Sequence, residues 1–245
     1  DRWLNTQTLL WSSATSDCAA FAYRGKVFVV GGYSQNYESS AAMTMIDASS
    51  WEMETGGRLP SLDYGRGDIF GADMENKFYV IGGYHTEFGL CHPVSYVEVY
   101  DPEKNVWTSI MPLITGRANG VCGVMEKSLL VFGGKSSTRE CGVPESVSSV
   151  ERYSENRGWE IVTDVFEGAF RFTGVSYESR HTHSIYLFGG AVYNEECDCY
   201  RVRKNTMLYT KEEVYYLSAA SNIFSSNLML QISVGIGCLI FYFIH

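Results

Sequence analysis

Proline is scarce in this chain, with 5 in 245 residues, and charge is thin at 19%. The composition is instead 45% hydrophobic and 14% aromatic, with 24 glycines, which points to a globular fold of strands and glycine turns. No Lys/Arg-rich run offsets a formal net charge of −9, so an acidic body would repel a phosphate backbone and no nucleic-acid partner is expected. No Asn-x-Ser/Thr acceptor occurs, which disfavours a glycosylated extracellular surface. A nucleophile elbow, a phosphate-cradling glycine loop and a zinc-protease helix motif are all missing. Seven cysteines in so long a chain, an odd number, do not make a small disulfide scaffold. The first residue is Asp1 rather than Met, and a natural N-terminus further upstream is expected.

What is present is repetition. "KVFVVGG", "KFYVIGG", "SLLVFGG" and "SIYLFGG" end on glycine pairs at 31–32, 82–83, 133–134 and 189–190, in steps of 51, 51 and 56 residues. Trp3, Trp51, Trp107 and Trp159 each precede their pair by 26 to 31 residues. A period near 50 marks units that must stack on their neighbours to bury a face.

One stretch shows the parts. "VSYVEVYDP" (94–102) alternates apolar and polar residues and stops at a turn, and "VWTSI" (106–110) is a short strand. "ANGVCGVM" (118–125) is a third strand, and "SLLVFGG" (128–134) closes the unit. The run before each glycine pair is too short for a helix and reads as a strand buried on both faces. Gly31, Gly32, Gly82, Gly83, Gly133, Gly134, Gly189 and Gly190 are expected to let crowded backbones approach and to supply φ > 0. The four tryptophans are expected to fill the wedge between adjacent sheets.

These residues resemble the kelch repeat of β-propellers. Residues 97–134 look like a nearly complete example, with Gly133, Gly134, Tyr100, Asp101, Trp107 and Arg117 at the family's positions. Arg66 matches Arg117 and Asp47 matches Asp101, whereas Ile46 replaces Tyr and Ser154 replaces Asp; Arg171 is displaced. The resemblance covers roughly residues 1–217 and implies an all-β fold: a partial propeller of about four blades, each of four antiparallel strands. Kelch propellers usually have more blades, and "KEEVYYLSA" (211–219) resembles the start of a fifth unit, so a fragment of a longer propeller is expected. The fold hosts adaptors, sugar-binding proteins and oxidases, so fold alone does not give function.

Residues 218–245 form a hydrophobic tail. No Asp, Glu, Lys or Arg occurs from Val214 to Ile244, and "LMLQISVGIGCLIFYFI" (228–244) is nearly continuous in apolar residues. At 17 residues it sits at the short limit for a spanning helix, and the small residues and polar spacer before it also suit a lipid-anchor signal. Membrane association through 228–244 is the expectation; two strands of a degenerate blade are the alternative.

No metal or cofactor is expected. His181 and His183 lie in a turn at one end of a strand, and Cys197 and Cys199 in a loop at the other, so they should not converge. Cys91, Cys141 and Cys197 follow their glycine pairs at seven or eight residues and could bridge between neighbouring loops. The long loops 33–42, 84–95, 135–148 and 191–206 share one end of the ring. They carry Tyr33, Tyr37, Tyr84, His85, Phe88, His92, Arg139, Tyr193, Tyr200, Arg201 and Arg203, the residue types that dominate recognition surfaces. A non-catalytic module binding a protein or glycan is therefore expected. The alternative is an oxidase, since some kelch propellers resemble copper enzymes acting on galactose or glyoxal; the chain offers only five histidines for that chemistry.

Overall fold

Backbone polarity dictates how four apolar runs can be buried at once: each must find hydrogen-bonding strands on both sides. The computed structural model describes residues 15–55, 59–88, 92–136, 145–165, 167–179, 182–194, 196–211, 214–217, 229–235 and 238–244. It meets this requirement with four antiparallel sheets arranged as propeller blades. Blade 1 is β1 (Ala19–Tyr23), β2 (Lys26–Val30), β3 (Met43–Asp47) and β4 (Met53–Thr55), paired in that order. Blade 2 is β5 (Phe70–Met74), β6 (Lys77–Ile81), β7 (Val97–Asp101) and β8 (Val106–Ser109). Blade 3 takes β9 (Val121–Met125), β10 (Ser128–Phe132), β13 (Ser149–Ser154) and β14 (Gly158–Asp164). The short pair β11 (Lys135–Ser136) and β12 (Glu145–Ser146) lies in its long loop. Blade 4 is β15 (Phe170–Glu178), β16 (His183–Asn194), β18 (Thr206–Thr210) and β19 (Val214–Leu217), with β17 (Cys199–Val202) folded back on the end of β16.

The strands are those expected, but their grouping is shifted. "VEVYD" and "VWTS" are the outer half of blade 2, while "VCGVM" and "SLLVF" open blade 3. Strands β1, β5, β9 and β15 touch one another in sequence and line the axis, so each glycine-pair strand is second from the axis rather than last in its unit. In blades 2 and 3 it is buried on both faces, as expected, β6 and β10 each exposing only their first residue in part; in blade 4 burial alternates along β16, with Tyr186 and Phe188 half-buried. "KEEVYYL" likewise does not open a fifth unit; its β19 is the outermost strand of blade 4.

The core lies in the wedges between blades. Phe21, Phe28 and Met45 of blade 1 meet Phe78, Tyr100 and Trp107 of blade 2, with the Phe21 and Phe78 rings stacked at 4.2 Å. Trp159 fills the next wedge and donates its ring N–H to the Met111 carbonyl at 2.8 Å. Ile185, Leu187, Met207 and Tyr209 of blade 4 close on Val121, Leu130 and Phe132 of blade 3.

Trp51 does not fill a wedge. Register places Trp107 opposite Tyr100 and Trp159 opposite Tyr153, but it is Met53 that stands opposite Ile46. Trp51 arrives two residues early, in the β3–β4 turn, 57% exposed and at φ 61°. Blade 2 puts Asn105 (φ 54°) at the same left-handed position, two residues before Trp107. An aromatic residue pays the Cβ–carbonyl clash there that Asn and Gly avoid or tolerate. Trp51→Asn should therefore raise stability by about 0.5–1 kcal/mol in urea unfolding; a loss would mean that the ring makes contacts this turn does not show. Trp3 lies outside the described residues.

The described residues of the tail are strand. Their backbone forms an antiparallel hairpin, β20 (Met229–Gly235) with β21 (Cys238–Ile244), closing at the pair Gly235 and Cys238. Among the described residues, no helix is long and apolar enough to cross a membrane.

Candidate functional site

The inner strands all begin from one unusual backbone position. Asp17, Asp68, Asn119 and Arg171 occupy it in blades 1 to 4, at φ 55°, 54°, 56° and 54°. The last three are joined by backbone hydrogen bonds: Asn119 N donates to Asp68 O, and Arg171 N to Asn119 O, each at 3.0 Å. Asp and Asn enter the left-handed region readily, but a long side chain such as Arg171 does so against its own sterics. Strain at one point of a ring of polar residues is a pointer to function.

The ring surrounds the mouth of the central channel on the long-loop face. A cavity of about 330 Å³ runs inward from it, lined by all four inner strands through Ala20, Gly71, Cys122 and Gly174. Charge is divided across this mouth. Asp17 and Asp68 stand on the side of blades 1 and 2, and Arg171 on the side of blade 4, with Lys135 of blade 3 close by. Burial, and then the charge of Asp17, hold the Asp68 carboxyl above the ordinary Asp range. The Tyr33 hydroxyl donates to Asp68 Oδ2 at 3.2 Å. Burial also draws the Lys135 ammonium below its usual value, aided by the charge of Arg171. Its Nζ lies 4.3 Å over the Phe170 ring and 5.4 Å from that of Tyr200, where the aromatic faces partly replace lost hydration.

The long-loop residues fall into different environments. Tyr33 and Tyr84, each the residue after its glycine pair, are buried and support the mouth from below instead of forming its surface. Burial pushes the Tyr84 hydroxyl up to about 12. Tyr37 is 71% exposed at a loop tip. His85 is half-buried beside the Tyr64 ring, and its Nδ1 accepts from Glu87 N at 3.1 Å. Phe88 ends a short 3-10 turn, His92 is exposed, and Arg139 lies outside the described residues. Tyr193 donates to Asp198 Oδ1 at 2.6 Å, and Tyr200 leans toward the mouth over Lys135. The basic stretch 200–204 is not a free cationic cluster, because Arg201 pairs with Glu167 and Arg203 lies 3.8 Å from the same carboxylate.

Cys197 is joined to Cys199 in its own turn, not to a neighbouring loop; Cys91 and Cys141 lie outside the described residues, as does His181. The β15–β16 and β16–β17 turns do emerge at opposite ends of β16. Among the described residues, no three His, Cys, Asp or Glu side chains group to hold a metal ion.

Sequence reasoning missed the ring itself, yet a signal was there. Asp17, Asp68 and Asn119 each precede their glycine pair by 14 residues, and Arg171 precedes its own by 18. The extra four residues lengthen the β15–β16 hairpin, whose ladder runs from Phe170 to Glu178.

A family model described as the Kelch motif matches residues 74–114, from the end of β5 to the linker after β8. The chain is 29% identical over 207 residues to Kelch-like protein 25 of Xenopus tropicalis, which covers 81% of this chain and 33% of that protein. Kelch-like protein 25 of Homo sapiens is 31% identical over 134 residues, covering 52% of this chain and 22% of its own length. Kelch-like protein 26 of Danio rerio is 24% identical over 139 residues, or 55% and 21%. The chain thus spans about a third or less of these curated relatives. Among solved structures, that of YjhT superposes with a TM-score of 0.67 at 16% identity, covering 85% of this chain and 70% of that one, a likeness of fold.

Proposed function

We propose that this chain, which belongs to the kelch-repeat β-propeller family, is a non-catalytic interaction module that receives a protein segment at the mouth of its channel. The observation that carries the reading is the ring of Asp17, Asp68, Asn119 and Arg171, four side chains presented at equivalent backbone positions around one opening. A divided mouth of this kind favours an extended segment whose acidic side chain meets Arg171 and Lys135, with donors toward Asp17 and Asp68. Exposed Tyr37 and Tyr200 on the same face add aromatic area at low ordering cost. The Kelch-like relatives support a protein over a glycan as partner. No observation favours the oxidase reading.

Selection of a displayed random-peptide library on the full chain tests this. Enriched peptides should carry Asp or Glu, and Arg171→Glu should weaken them at least tenfold. Lys104→Glu, in the β7–β8 turn at the opposite end of the blade, should not. Peptides that bind Arg171→Glu undiminished, with its melting curve intact, would overturn the reading.

A further inference from the structure

The last long loop is a covalently closed ribbon. β16 runs on past its glycine pair for four residues and pairs with β17: Ala191 with Val202, Val192 with Arg201, Tyr193 with Tyr200, and Asn194 with Cys199. Four residue pairs make a marginal hairpin in water. All four β17 residues are exposed, Val202 to 70%, so little packing holds the strand down. The tip is held instead by the Cys197–Cys199 disulfide, with only Asp198 between the two cysteines. Asp198 sits in the left-handed region at φ 47° and accepts from the Tyr193 hydroxyl across the ribbon at 2.6 Å. Directly after Cys199, Tyr200 reaches the mouth, edge-on to Phe170 at 5.6 Å and beside Lys135. The disulfide thus closes the hairpin at its tip and at the residue that begins β17.

We propose that Cys197 and Cys199 form a reversible thiol–disulfide site, exchanging with small thiols, that fixes or releases the β16–β17 hairpin over the channel mouth. Both sulfurs lie in exposed residues, open to an incoming thiolate, and exposed disulfides are the labile ones. The thiolate of a small thiol attacks one sulfur, breaking the Cys197–Cys199 bond, forming a mixed disulfide and freeing the other cysteine as thiolate. A second small thiol displaces the first from the protein. The net products are two protein thiols and one small-molecule disulfide, with two electrons and two protons passed to the protein. Once reduced, the turn loses its clasp, Asp198 has no covalent reason to keep its left-handed conformation, and Tyr200 is tied to the mouth by its ring contacts and by the exposed Arg201–Glu167 pair beside it. The exchange chemistry does not depend on what binds the mouth.

The experiment takes the full chain through glutathione buffers of increasing reducing strength, blocks thiols with N-ethylmaleimide, and maps them by peptide. Hydrogen exchange is followed on the same samples. The peptide holding Cys197 and Cys199 should pass from unlabelled to doubly labelled. At the same step, amides of 191–194 and 199–202 should exchange at least tenfold faster while those of β9 and β10 do not change. A Cys197→Ser/Cys199→Ser variant should show the fast exchange in every buffer. Full labelling of both cysteines without reductant would overturn the site. Equal hairpin protection in the oxidised, reduced and doubly substituted protein would overturn the clasp. Both readouts are made without a partner, so they stand or fall apart from the peptide selection.

Discussion

Gly133→Ala should destabilise the protein by roughly 3–5 kcal/mol, while the same change at Gly189 should cost only about 1–2 kcal/mol, the strain of a Cβ in the left-handed region. Both glycines open a glycine pair and both lie at positive φ, 56° and 72°. Their surroundings differ. A Cβ on Gly133 would stand 2.4 Å from the Ala169 carbonyl oxygen and 2.8 Å from the Phe172 ring, whereas one on Gly189 meets nothing within 4 Å. That carbonyl is also the acceptor for Gly134 N at 2.7 Å, the bond by which blade 3 grips the entry to blade 4. Blade 2 grips blade 3 in the same way, through Gly83 N and the Arg117 carbonyl at 2.9 Å. An added methyl group must push the acceptor away and leave a buried N–H unpaired, so strain and desolvation add. Urea unfolding of the two variants measures the difference. Equal losses would show that the glycine pair serves only its own strand and is not the joint between blades.

The sequence exposes that joint through its simplest signal, since a buried apolar run ending on Gly-Gly is written alike in all four blades. The number of blades and their four strands follow from it. Phase is harder, because the tight turn between β9 and β10 and the linker between β8 and β9 both look like polar breaks between strands. Only hydrogen bonding tells a turn within a sheet from a crossing between sheets, so the sequence pattern alone puts "VEVYD" and "SLLVF" in one unit. Trp51 misleads for a related reason: a spacing counted in the chain does not report that the β3–β4 turn moves the residue off the strand and into the left-handed position. The channel mouth left no hydrophobic trace at all. Its residues are polar and change from Asp through Asn to Arg around the mouth, so what all four share is backbone conformation, and the first three also a count of 14 from the glycine pair. Of the long-loop tyrosines, the two nearest the glycine pairs are buried, because a residue leaving that strand continues its burial for one more step.

The second large effect concerns two buried ion pairs that look equivalent and should not behave alike. Arg117 and Glu151 are fully buried and paired, and Glu151→Ala should cost about 3–5 kcal/mol by stranding a guanidinium away from water. A buried pair can often be replaced by apolar residues at little cost, but here each partner also serves the backbone. Glu151 accepts from Ile114 N at 2.7 Å and Thr115 N at 3.0 Å. Arg117 donates to the Gly133 and Ser149 carbonyls at 3.1 and 2.9 Å. An Arg117→Met/Glu151→Leu swap removes both charges and leaves those four groups bare, so it should remain at least about 2 kcal/mol below the parent. The Arg66 and Glu98 pair, bonded at 2.7 Å, offers a contrast. Tyr96 stands where blade 3 has Ser149, and Arg66 Nε and Nη1 find no partner among the described residues. Arg66→Met/Glu98→Leu relieves those two orphaned donors and strands chiefly Asp63 N, which donates to Glu98 at 2.6 Å. It should therefore cost less than the swap in blade 3. Chemical unfolding of the two double variants, beside their single substitutions, gives the comparison. If Arg117→Met/Glu151→Leu folds as stably as the parent, the ion pair is not what holds the linker between blades 2 and 3, and the hydrogen bonds drawn to Ile114 and Thr115 carry no net stability.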